Sequence, residues 1–132
     1  MSEIKVDTLT GKTTANDITV TVGATATMSL EQGLAKAWAN LNGSTFGLRQ
    51  SFNTSSATDN GTGDYTFSFT NSTSDSDYAT TINQGNQTGS DFWGYRGSHS
   101  HATGSVREKS RNTSNSAADA VTFCVHLHGD LA

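Results

Sequence analysis

The sequence predicts a mainly β protein in three parts: an N-terminal extended strand segment (residues 1–27), one short amphipathic helix (28–43) and a C-terminal antiparallel β-sandwich (44–132). Three observations lead to this prediction. Apolar and polar residues alternate over several short stretches, which is the period of half-buried strands. Clusters of Asn, Asp, Gly, Ser and Thr separate these stretches. A single stretch has the spacing of a helix.

Composition excludes several classes of protein. Hydrophobic residues make up only 33% of the chain, but charged residues are only 15% and the net charge is −4, so the usual signature of disorder is incomplete. The mild acidity argues against nucleic acid as a main partner, because phosphate binding needs clustered Lys and Arg. No apolar run reaches membrane-spanning length, and the first residues lack the apolar region of a signal peptide. Cys124 is the single cysteine, which excludes an intrachain disulfide.

The N-terminal segment alternates at two places. Ile4 and Val6, and later Ile18, Val20 and Val22, occupy every second position with polar residues between them. Two short strands cannot form a core alone. We therefore expect this segment to dock on a partner chain or a larger assembly.

The helix is predicted between Met28 and Gly43. Ser29 and Gln32 have the spacing of a capping box, and Asn42-Gly43 is a typical stop signal. Four large apolar residues between these signals fall on one helical stripe: Leu30, Leu34, Trp38 and Leu41. Since a helix of about a dozen residues is marginal in water, this stripe must pack on the rest of the chain or on copies of itself.

The remainder of the chain predicts the sandwich. Tyr65–Thr70 places three aromatic rings on one face and three hydroxyls on the other, which makes it the clearest strand. Val121, Phe123, Val125 and Leu127 also share one face, and so apolar a strand should be central in its sheet. The polar loops 54–63, 71–77, 83–90 and 97–104 are the natural places for recognition.

Two clusters are candidates for binding. Phe92, Trp93 and Tyr95, next to Arg96, could stack on host glycans, although Phe92 and Trp93 could equally fill the core. The four histidines form two His-x-His pairs, His99/His101 and His126/His128. On a strand each pair projects to one face and could hold a divalent metal, whereas the alternative is ordinary loop and surface histidines. No Gly-x-Ser-x-Gly elbow appears, so we predict no catalytic residues.

Several motifs resemble the tail-fibre-like proteins of marine bacteriophages. They are Ile-Lys-Val-Asp-Thr-Leu-Thr-Gly-Lys-Thr-Thr-Ala (4–15), Gly-Leu-Ala-Lys-Ala-Trp-Ala-Asn-Leu (33–41), the stretch from Ser51 to Asn71, and the closing apolar strand with Gly-Asp-Leu (129–131). The resemblance covers most of the chain and weakens from Thr81 to Asp119. Such proteins are virion components, and phage fibres are typically homotrimers whose distal β-domains touch the host surface.

The resemblance implies a small trimeric tail fibre or fibre tip. The N-terminal segment would bind other virion proteins, the helix would form a trimeric neck through Leu30, Leu34, Trp38 and Leu41, and the sandwich would contact host surface glycans or an outer-membrane receptor. A capsid decoration or fibre protein, with a structural or weakly adhesive role, is the alternative. A polysaccharide-cleaving enzyme ranks last, since the acidic residues are scattered among loops. The expected location is the tail or capsid surface of the virion.

Overall fold

A computed structural model describes residues 4–11, 18–22, 24–85 and 100–132 of the chain. Within these ranges all regular structure is antiparallel β-strand and no helix is present. It follows that no helix among them is long and apolar enough to cross a membrane. The chain divides into two compact units, Met1–Leu34 and Ala35–Ala132.

The described residues of the N-terminal unit include a small hairpin. Strand β1 (Thr19–Val22) pairs with β2 (Ala26–Ser29), and the amide of Leu30 extends the ladder by donating to the Ile18 carbonyl at 2.7 Å. Residues 4–11 contain no strand. The expectation of a strand at Ile4 and Val6 is therefore wrong, and this unit is not one extended strand segment.

The predicted helix over residues 28–43 is also wrong. Its first half ends β2 and continues into turns, while its second half is strand β3 (Ala37–Asn42). The cap signals lie in turns: the Gln32 amide is 3.5 Å from the Ser29 hydroxyl oxygen, and the Asn42 side-chain oxygen accepts from two following amides at 3.1 and 3.2 Å. Each signal thus marks a local reversal of the chain without an intervening helix.

The described residues of the second unit form eight strands in two four-stranded antiparallel sheets. Beyond β3, the strands are β4 (Gly47–Phe52), β5 (Thr54–Asp59), β6 (Asp64–Phe69), β7 (Ala79–Gly85), β8 (Ser100–Ala102), β9 (Ser105–Lys109) and β10 (Thr122–His128). The strand order is β4-β3-β10-β7 in the first sheet and β5-β6-β9-β8 in the second. The prediction of antiparallel β-structure is confirmed, and β10 lies centrally between β3 and β7 as its apolar face predicts.

Aromatic rings fill the space between the two sheets. The ring of Phe123 on β10 meets Tyr65 edge-on, with centroids 5.2 Å apart, and stacks parallel to Phe67 at 6.1 Å. Around them lie the other buried apolar side chains, among them Ala37, Ala39, Leu41, Val106, Val125 and Leu127. Every second residue of β3 and β10 therefore faces this core, and the residues between them face outward.

One carboxylate joins two loops at the end of the sandwich. The same oxygen of Asp119 accepts from the Gly63 amide at 2.7 Å and from the Tyr65 hydroxyl at 2.8 Å. Burial and this hydrogen bond both raise the pKa of Tyr65. Gly63 has a φ of +62°, and a Cβ added there would collide with backbone atoms of Ser110 and Ala118. The turn before β6 is thereby held against the segment that follows β9.

Candidate functional site

The structure does not describe the residues that are predicted to bind glycans. Phe92, Trp93, Tyr95 and Arg96 lie outside the described residues, and so does His99. This cluster stays a prediction.

The remaining histidines lie in two different settings. His101 on β8 stacks on Tyr78 with ring centroids 4.4 Å apart, and its Nδ1 lies 3.3 Å from the Ser76 carbonyl oxygen. His126 and His128 are exposed on the outward side of β10, two residues apart on the same face as predicted. Within the described ranges, no three His, Cys, Asp or Glu side chains come together as a metal-ligand group. Metal binding at the exposed pair remains a prediction.

The predicted trimer stripe does not exist as one surface. Leu41 is fully buried in the core of its own sandwich, so it is not available to a second chain. Trp38 points to the opposite side of the same strand, because neighbouring strand residues face opposite ways. Leu30 and Leu34 belong to the N-terminal unit, where Leu34 is exposed. The helical neck through these four residues is therefore wrong.

The register of the first sheet instead assembles an aromatic row on its outward face. Trp38 on β3 lies directly opposite Phe52 on β4 and His126 on β10, and His126 in turn lies opposite Thr81 on β7. Directly opposed residues of antiparallel strands share a face. Trp38 is half-buried, whereas Phe52 is 55% exposed and His126 is exposed. The row crosses all four strands of the sheet.

A second row, two residues along each strand, is rich in amides. Asn40 lies opposite Gln50 on one side and Cys124 on the other, and Cys124 lies opposite Asn83. We call these two rows of outward side chains the Trp38 face: Phe52, Trp38, His126 and Thr81 in the first, and Gln50, Asn40, Cys124 and Asn83 in the second. None of the eight is Asp, Glu, Lys or Arg.

Arg49 borders the Trp38 face and is held in place. Its Nη1 donates to the Asn40 side-chain oxygen at 3.3 Å and to the Thr122 hydroxyl at 3.2 Å. Burial raises the pKa of the neighbouring Cys124 thiol, although Arg49 opposes this shift. The thiol is therefore held in its neutral form, and it is a poor nucleophile at neutral pH.

The outward face of the second sheet has a different chemistry. Its rows consist of Thr58, Thr66, Arg107 and Ser100, and of Ser56, Ser68, Ser105 and Ala102. Arg107 forms a two-pronged ion pair with Asp64 at 2.7 and 2.9 Å, and Lys109 approaches the same carboxylate at 3.9 Å. The hydrogen bond to Asp64 raises the pKa of Arg107. This face thus consists of hydroxyls and paired charges, and neither row contains an aromatic side chain.

The N-terminal unit exposes apolar side chains. Ile4 is 85% exposed, Leu9 63% and Val6 57%, and Met28 and Leu34 are also largely exposed. These apolar side chains therefore face water and are not part of a core.

No known protein family, no curated protein and no solved structure matches the chain.

Proposed function

We propose that this protein is a structural component of a phage virion, a small homotrimeric fibre or fibre tip whose sandwich contacts the host surface. The observation that carries the proposal is the contrast between the two units. The sandwich buries a large aromatic core of its own, whereas the N-terminal unit leaves Ile4, Val6 and Leu9 in water. One unit has the character of an anchor, and the other that of a displayed module.

The exposed apolar residues give the anchor a physical basis. Covering apolar surface is worth about 25 cal/mol per Å², so residues 4–11 would be stabilised by other virion proteins or by neighbouring copies of the chain. Because residues 28–43 do not form a helix, contacts among the copies are assigned to this N-terminal unit. The number of three copies rests on the resemblance to phage fibres.

The sandwich suits display on a particle. Its two sheets share one core and have outward faces made of hydrogen-bonded strands, so a surface receptor can be bound without ordering a disordered segment. The same two-part design would serve a fibre on the tail or a decoration protein on the capsid.

Two measurements test the proposal. Mass spectrometry of particles purified from the phage that encodes this chain should detect its peptides at a stoichiometry divisible by three per attachment point. The purified protein, added in excess to host cells, should lower phage adsorption, whereas heat-denatured protein should not. A virion role would be refuted if purified particles lack the chain and if deletion of its gene leaves infection unchanged.

A further inference from the structure

We propose that the Trp38 face is a carbohydrate-binding site that takes a short neutral oligosaccharide. As a means of host contact it rests on the proposed function, but the binding itself is argued from the geometry of the sheet. Trp38 and Asn40 of this face lie in the segment predicted as a helix (28–43), and none of its residues lies in the predicted glycan cluster at residues 92–96.

The aromatic row supplies the apolar half of such a site. A sugar ring has C–H groups on its faces and hydroxyls around its edge, so it stacks on an aromatic ring while its rim stays polar. Phe52, Trp38 and His126 present three rings on adjacent strands about 4.8 Å apart. The three rings therefore span about 10 Å, and the whole row with Thr81 spans about 14 Å, which is long enough for an oligosaccharide rather than one sugar.

The amide row supplies the polar half. Gln50, Asn40 and Asn83 each carry one carbonyl acceptor and two N–H donors, which matches hydroxyl groups that both donate and accept. The row lies about 7 Å from the aromatic row, the distance of two residues along an antiparallel strand. A sugar stacked on Trp38 can thus direct its rim hydroxyls toward these amides.

The charge of the face selects the class of ligand. None of the eight side chains in the two rows is an acid, a lysine or an arginine, and the bordering guanidinium of Arg49 is already bonded to Asn40 and Thr122. A neutral, hydroxyl-rich ligand complements these eight side chains, which offer no ion pair to a polyanion or a charged peptide. Arg49 keeps its positive charge, because both of its partners are neutral.

The second sheet provides an internal comparison. It belongs to the same sandwich and also turns its outward face to solvent, yet its rows carry hydroxyls, one methyl side chain and the paired charge of Arg107. The fold therefore does not require outward aromatics. Phe52 leaves more than half of its surface in water, which is unfavourable for the free protein and is relieved when a ligand covers the ring.

The test uses the full chain on a printed array of neutral and sialylated glycans, with hits measured by titration calorimetry. We expect at least one neutral oligosaccharide to bind, and Trp38→Ala to weaken it at least about tenfold. Thr58→Ala, on the outward face of the other sheet, is the matched control and should leave the affinity unchanged. Melting curves identify a variant that fails to fold. If Trp38→Ala fails to fold, the double variant Gln50→Ala/Asn83→Ala, which changes only the amide row, is tested in its place. It should also weaken oligosaccharide binding at least about tenfold.

Three results would overturn the inference. The first is a wild type that binds no glycan on the array. The second is binding that survives in both Trp38→Ala and the double variant, above all if Trp93→Ala abolishes it. The third is evidence that the face joins copies of the chain: the wild-type protein is an oligomer that binds no sugar, and the variant Trp38→Ala is monomeric. None of these contradicts the virion role, which particle mass spectrometry tests separately.

Discussion

Replacing Phe123 by Ala probes the core on which the whole sandwich depends. The Phe123 side chain is fully buried in the central strand β10, with two aromatic neighbours from the other sheet, Tyr65 and Phe67. A buried Phe→Ala change costs about 3–5 kcal/mol, including the cavity that remains. Each lost aromatic pair is worth about 0.5–1.5 kcal/mol, which places the expected loss near the upper end, at about 4–5 kcal/mol.

This loss is large compared with the stability of a typical domain, about 5–15 kcal/mol. For a unit of about 100 residues, 1 kcal/mol corresponds to roughly 4–8 °C, so the melting temperature should fall by at least about 15 °C. Urea denaturation followed by circular dichroism is the assay, and the midpoint should fall without a change in slope.

His126→Ala is the control for that experiment. His126 lies on the same strand but faces outward and is exposed, so its removal should change the free energy of unfolding by no more than about 0.5 kcal/mol. If Phe123→Ala unfolds within about 1 kcal/mol of wild type, or if both variants lose equal stability, the assignment of inward and outward faces on β10 is wrong.

Three further predictions concern a glycine, a buried tyrosine and the exposed histidine pair. Gly63→Ala should cost about 1–3 kcal/mol in urea denaturation, because φ is positive and backbone lies where the Cβ would go, whereas Gly47→Ala, which meets nothing within 4 Å, should be tolerated. Burial raises the pKa of Tyr78 to about 12, above its usual value of about 10. The stability that this shift contributes is complete below pH 10 and is lost as the pH rises toward 12, so Tyr78→Phe should reduce the loss seen in alkaline urea titrations. Chelator should change the melting temperature by less than about 2 °C, since His126 and His128 are both exposed on one short strand; a larger fall would indicate a structural metal there.

The strands that could be predicted are those with a strict alternation of large residues. No helical pattern competes in these two stretches, because bulky side chains recur only at every second position. The first stretch contains Tyr65, Phe67 and Phe69, and the second contains Phe123, Val125 and Leu127. The prediction of a helix over residues 28–43 was wrong because Leu30, Leu34 and Trp38 fit a helical period and the alanines between them favour helices. The inward positions Ala37 and Ala39 alternate as well, and pairing with β4 and β10 decides in favour of the strand.

The Trp38 face was beyond local sequence reasoning for a different reason. Its members come from four strands, and Phe52, Thr81 and His126 become neighbours of Trp38 only through the register of the sheet. One sequence signal was available: Trp38, Asn40 and Asn42 alternate with Ala37, Ala39 and Leu41, which on a strand would give an outward polar and aromatic side. The predicted cluster at residues 92–96 relied on adjacency along the chain, and its own position is outside the described residues.

The most direct test of the anchor-and-display design is a comparison of two antibodies on intact, purified virions by gold-label electron microscopy. One antibody is raised against the peptide of residues 4–11, and the other against the folded sandwich; both must first bind the free protein. We predict that the sandwich antibody labels fibres on the tail or the capsid surface of intact particles, and that the peptide antibody labels particles only after they have been disrupted. Equal labelling of intact virions by both antibodies would show that the exposed apolar segment is not the attachment site, and absence of both labels from intact and disrupted particles would contradict the virion assignment itself.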